Sequence, residues 1–294
     1  MNTKPNQFGR RSRLFLTKAH AVVAVASLTI SSVHAASTAG PDDQISASTE
    51  APASDADALA KKLANPIAAM ISVPFQNNFD WGGGPNGDGF QWKLNIQPVI
   101  PIKLNDEWNL INRTIIPVVS QNDIVGTSSQ TGLSDITTSF WFSPTDPTSN
   151  GWIWGVGPAF LLPTGSDNLL TANQWAAGPT AIALKQDGKF TYGALVNQLW
   201  SFAGDGGRSP VNQAFVQPFL AYTPGGGWTY SLNAESSYDW TGGQWTVPVN
   251  LLVSKMIKIG DTQTQWQLGG RYYAEKPDNG PEWGLRFGVT LLFP

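Results

Sequence analysis

From Glu282 to Pro294 the chain alternates without a break: Trp283, Leu285, Phe287, Val289, Leu291 and Phe293 on one side, Glu282, Gly284, Arg286, Gly288, Thr290 and Leu292 on the other. A period of two is a β-strand, and here one strand face is wholly apolar. An aromatic residue stands at each end of that face, the pattern of a membrane-spanning strand. The same alternation runs through Gly89 to Pro101 and Trp245 to Ser254, where the opposing residues are mid-sized and hydrogen-bonding rather than densely charged. That composition suits a crowded aqueous lumen better than an open protein surface. An all-β fold is expected, a single antiparallel transmembrane β-barrel.

The N-terminus gives the route. Lys4, Arg10, Arg11, Arg13 and Lys18 precede an uncharged run from Ala19 to Ile30, and small residues follow at Val33-His34-Ala35. Residues 1–35 read as a cleaved signal peptide, cut after Ala35 or Ala36, because the apolar run is shorter than the roughly 20 residues a helical span needs. The Arg10-Arg11 pair allows a twin-arginine reading, but Arg13 interrupts the hydrophobic continuation. Setting aside those five basic residues leaves thirteen Lys and Arg against 21 Asp and Glu, a net charge near −8. No nucleic-acid footprint is compatible with that balance. Cysteine is absent, so no disulfide or lipid anchor forms through it.

Residues 36–66 are expected to comprise a disordered Ser, Ala, Asp and Thr rich segment and a short periplasmic helix over Asp55 to Ala64, capped by Ser54 or Asp55 and ended by Asn65-Pro66. Residues 67–294 form the barrel, with twelve strands at about 68–81, 89–102, 107–119, 133–143, 151–163, 174–185, 189–201, 213–223, 228–239, 245–258, 262–274 and 282–293. Their connections alternate between tight turns and Gly, Ser, Asn and Asp rich loops, as a barrel with both termini on the periplasmic side requires, except for a longer inner connection between the fourth and fifth strands and a short outer hairpin near Thr241 to Gly243. Trp81, Trp92, Trp175, Trp200, Trp245 and Trp283 fall at the outer strand ends, and Trp108, Trp152 and Trp228 at the inner ends, an aromatic girdle at each interface. The alternative, a secreted β-sandwich, has to explain twelve strands of 11 to 14 residues where globular strands average roughly 5–6.

Ionisable side chains at membrane depth must face the interior, paired or wet. By the alternation Lys93, Glu235, Arg271 and Arg286 point inward with Gln97, Gln217 and Asn233, and Arg113, on a strand of ambiguous register, is placed inward because facing lipid would be costly; the result is a pore lining in which cations outnumber the one anion. An acidic or hydrophobic solute would suit it. The competing reading is a network closing a narrow barrel, with Glu235 bonded to Arg271 or Arg286. Both histidines, His20 and His34, lie in the leader, so residues 36–294 hold neither His nor Cys. The usual ligands for zinc, copper and haem are missing, as are Ser-His and Cys nucleophiles. The chain is expected not to be an enzyme and to hold no metal or cofactor. The Gly-rich stretches at 82–89 and 204–207 lack P-loop and EF-hand spacing and read as external loops.

Leu63-Ala64-Asn65-Pro66-Ile67, then Ile71 through Asp80 (ISVPFQNNFD), with Gln97-Pro98-Val99-Ile100-Pro101, Gly157-Pro158 and Gln217-Pro218-Phe219, resemble the transporter-like outer-membrane β-barrel family grouped with the MetA-pathway of phenol degradation proteins, some of which carry the label neuromedin U. The resemblance runs from Asp55 to the C-terminus. It implies passage of small aromatic or other hydrophobic solutes and assigns no residue a role. One departure is that Phe293, and not the terminal Pro294, occupies the place of the usual closing aromatic read by the barrel-assembly machinery.

The expected function is passive uptake of a small-molecule solute across the outer membrane of a Gram-negative bacterium, the barrel being solvated by outer-membrane lipid. The alternative is a closed structural or partner-binding barrel, with outer loops at 121–134 and 204–212. The Asp55 to Ala64 helix either enters the periplasmic mouth or lies outside it.

Overall fold

Strict alternation along each strand places one side chain in two on the wall's inner face, and neighbouring strands repeat that choice in register. The computed structural model describes residues 53–126 and 128–293. The expected signal peptide at 1–35 and most of the Ser, Ala, Asp and Thr rich segment lie outside these residues. One helix, α1 (Ala53–Leu63), is followed by β1 (Ile71–Gly83), β2 (Gly89–Ile96), β3 (Val99–Lys103), β4 (Trp108–Asn122), β5 (Ser129–Leu133), β6 (Ile136–Pro144), β7 (Trp152–Leu162) and β8 (Gln174–Asp187). The chain continues through β9 (Phe190–Gly204), β10 (Asn212–Gly225), β11 (Trp228–Ala234), β12 (Ser236–Asp239), β13 (Gln244–Ile259), β14 (Thr262–Glu275) and β15 (Trp283–Phe293).

β2 with β3, β5 with β6, and β11 with β12 are each one stave briefly interrupted, so the segments make twelve antiparallel staves. β15 pairs with β1 from Ile71↔Phe293 to Trp81↔Trp283 and closes the barrel. Tight turns and α1 gather at one rim, here the helix rim; the longer connections gather at the other, the loop rim.

The outward face is apolar over most of its area, with Leu251 66 % and Phe202 69 % exposed. Aromatic residues cluster towards its edges. Trp81 stacks on Trp283 at 4.7 Å near the loop rim, where Tyr238 and Trp245 also meet, at 4.9 Å. At the helix rim Trp108 meets Trp154 edge-on at 5.9 Å and Lys255 Nζ lies 4.8 Å from the Trp228 ring. Trp152 packs on Tyr192, and Trp175 and Trp200 are exposed near the loop rim. Trp92 sits deeper, opposite Phe79 and Ser120, and its Nε1 donates to the outward-facing Asn77 Oδ1 at 3.1 Å.

Two expectations are corrected. α1 already includes Ala53, so Asp55 lies in its first turn, where a carboxylate complements the helix dipole, and is not its cap. The expected loop at 121–134 is mostly wall, because β4 runs to Asn122 and β5 begins at Ser129. The interruption between β5 and β6 frees backbone groups, which the loop at 163–173 takes up: Leu133 N donates to Ser166 Oγ and Ile136 N to Thr164 Oγ1, both at 2.9 Å. Asp135 reciprocates, its carboxylate accepting from Gly165 N at 3.1 Å, Thr171 Oγ1 at 2.5 Å and Ala172 N at 2.7 Å.

Candidate functional site: the lumen

Why Arg286 can be buried follows from its neighbours on β15. Gly284 and Gly288 flank it on the inner face and leave the space above and below for side chains of β1 and β14. Arg286 is 2 % exposed. Its Nη1 and Nη2 donate to the two carboxylate oxygens of Glu235 at 2.9 and 2.7 Å, and its Nε to Asn78 Oδ1 at 2.8 Å. This bidentate fork is the strong form of an ion pair. Arg271 does not share Glu235. Its Nε lies 3.5 Å from Asp80 Oδ1, and its Nη2 donates to Tyr273 Oη at 3.2 Å.

Asp80 and Arg271 both stand opposite Gly284. A Cβ at Gly284 would lie 2.6 Å from the Phe79 carbonyl oxygen and run into the Asp80 carboxylate, so the missing side chain permits the approach. Lys93, opposite Asn78, accepts Asn78 Nδ2 on its backbone oxygen at 3.3 Å, while its ammonium has no hydrogen-bond or ion-pair partner among the described residues. Asn233 accepts from Asn250 Nδ2 at 2.8 Å. Gln97, Gln217, Asn233, Glu235, Arg113 and Arg286 border one cavity of about 320 Å³.

The opposite half of the lumen is apolar. Val99, Ile111, Trp141, Ile182, Leu184 and Leu195 pack there around Ile67. The reason is the segment after α1, which enters the barrel and needs an apolar wall to rest on. α1 itself sits at the helix rim, where Ala60 packs with Met70, Met256 and Leu292. Asp57 Oδ1 accepts from Gly227 N at 2.5 Å, and Gln186 Nε2 donates to Lys61 O at 2.7 Å. Leu63, Asn65 and Pro66 reach a cavity of about 150 Å³ that Arg113 also lines.

Asp80, Tyr273 and Trp141 take part in the site and were missed in the sequence reading. Asp80 shares the parity of Asn78, and Tyr273 that of Arg271, so the alternation carried the signal. Trp141, flanked by Phe140 and Phe142, offered no polarity contrast to set its side. Among the described residues no group of three or more His, Cys, Asp or Glu is placed to hold a metal ion.

No family model matches the chain, and no curated protein matches it. Solved structures do. The COG4313 outer membrane channel from Pseudomonas putida F1 aligns with 76 % of this chain and 94 % of its own, at 17 % identity and TM-score 0.57. The NanC porin aligns with 74 % and 98 %, at 13 % identity and TM-score 0.46. The first likeness shows the fold: the chain is a closed antiparallel barrel of the kind seen in outer-membrane proteins. The expectation that the chain is not an enzyme does not stand, because outer membrane phospholipase A from Escherichia coli is among the similar structures, at 12 % identity and TM-score 0.46 over 74 % of this chain and 95 % of its own. At that level the likeness assigns no activity to this chain either.

Proposed function

We propose that the protein is an outer-membrane channel through which small molecules, aromatic or otherwise hydrophobic, cross by way of the lumen. The supporting observation is a closed barrel with an apolar outer surface and aromatic rims, whose interior holds cavities of about 320 and 130 Å³ that share Arg113 as a lining residue. On this reading the helix rim faces the periplasm, export uses the signal peptide at 1–35, the β15 strand is read by the assembly machinery, and the MetA-pathway resemblance reflects kinship. Lys93, Arg113, Glu235, Arg271 and Arg286 then line the path with Gln97, Gln217 and Asn233, and the tryptophans anchor the barrel in lipid. The twelve-stave bore favours selection by lining chemistry over bulk flow.

The test is solute influx into proteoliposomes carrying the refolded protein, with phenol, benzyl alcohol, small carboxylates and neutral sugars. Faster influx of some of these than in protein-free vesicles is expected. No influx of any solute through a correctly folded barrel would overturn the proposal.

A further inference from the structure

Two buried ion pairs account for four of the six interior charges: Arg286 with Glu235, and Arg271 with Asp80. Lys93 and Arg113 are left over. Of these two, Arg113 is the one that borders the lumen's cavities, and it borders four of them, two shared with the segment after α1 and two on the side away from it. Its guanidinium carbon lies 5.8 Å from the ring centroid of Trp141. Trp141 is itself fixed, fully buried and donating its Nε1 to Thr180 Oγ1 at 3.2 Å. That aromatic contact holds the cation without using its N–H donors. No hydrogen bond or ion pair to those donors forms among the described residues. Glu235 faces the same cavity, but Arg286 already occupies both of its oxygens.

A partly buried cation with its donors free, at the seam between a charged half and an apolar half of a lumen, is the arrangement an amphiphilic anion fits. Resting on the channel reading, we propose that Arg113 binds the carboxylate of a monocarboxylate whose apolar body lies along Ile115, Ala159, Leu199 and Phe215, which line with Arg113 a cavity of about 130 Å³. The planar guanidinium matches a carboxylate with two parallel N–H donors, a geometry that an ammonium cannot reproduce. The apolar wall selects against small hydrophilic acids, and the spare positive charge selects against neutral aromatics of the same size.

The experiment is equilibrium dialysis of benzoate, with benzyl alcohol as its neutral counterpart, against the refolded full chain in detergent. Wild type is expected to bind benzoate at least tenfold more tightly than benzyl alcohol. Arg113→Gln should lose roughly tenfold to a hundredfold in benzoate affinity, as expected for a hydrogen-bonded charge contact, and leave benzyl alcohol unchanged. Arg113→Lys should fall between, and Lys255→Gln, which removes an outward cation, should match wild type. Equal binding of the two probes by wild type, a comparison that needs no variant, would overturn the site, as would undiminished benzoate binding by folded Arg113→Gln. Arg113-dependent binding in a barrel that admits no solute would uphold the site while overturning the channel; influx without Arg113-dependent binding would do the reverse.

Discussion

Replacing Glu235 with alanine is expected to destabilise the barrel more than replacing its partner Arg286. The asymmetry comes from what each substitution leaves behind. Glu235→Ala strands a guanidinium whose side chain is 2 % exposed, with Asn78 as its remaining hydrogen-bond partner. Removing one member of a buried pair costs about 3–5 kcal/mol, and this site belongs at the upper end of that range. Arg286→Ala strands a carboxylate that is 23 % exposed and faces the 320 Å³ cavity, where water can solvate it. Its cost should be nearer to about 2–3 kcal/mol, mostly the hydrogen bonds lost. Removing both groups leaves no orphaned charge, so the double variant should be no worse than Glu235→Ala alone, a coupling of about 2 kcal/mol or more. Urea unfolding from lipid vesicles, followed by tryptophan fluorescence, reads these differences; with slopes of about 1–3 kcal/mol per molar, Glu235→Ala should shift the midpoint by more than about 1 M. Equal costs for the two single variants, adding in the double, would refute the reasoning.

Two further substitutions probe close approach and loop attachment. Gly284→Ala should cost about 1–3 kcal/mol, because its Cβ meets the Phe79 carbonyl and the Asp80 carboxylate, whereas Gly270→Ala, with open space around the added atom, should change the unfolding midpoint very little. Asp135→Ala removes three hydrogen bonds to the loop at 163–173 and should raise that loop's cleavage rate under limited proteolysis while leaving the rest of the barrel intact.

Where apolar and polar residues alternated cleanly, the sequence made the wall readable. β15 is the best case: the glycines beside Arg286 mark the inner face as strongly as the aromatics mark the outer one. β4 is the opposite case. Its inward residues Ile111, Arg113 and Ile115 are mostly apolar, while the outward Asn112 and Thr114 satisfy one another and Thr138 by hydrogen bonds of 2.9 to 3.2 Å. Periodicity cannot orient such a strand, because its inner face packs against Ile67, a residue arriving from outside the sheet. The position of α1 was illegible for the same reason: Met70, Met256 and Leu292 become its partners only once the barrel has closed. Ion-pair choice was also hidden, since Glu235 had two inward arginines within reach by parity, and the glycine opposite Asp80 decided that Arg271 goes elsewhere.

The central claim is that the lumen is a path for solutes, narrowed from the helix rim by α1 and the segment that follows it. Its most direct test is ion conductance across a planar bilayer of the full chain beside a variant lacking residues 53–66. The account expects discrete current steps that grow severalfold on deletion; a folded barrel that stays silent in both forms would contradict it.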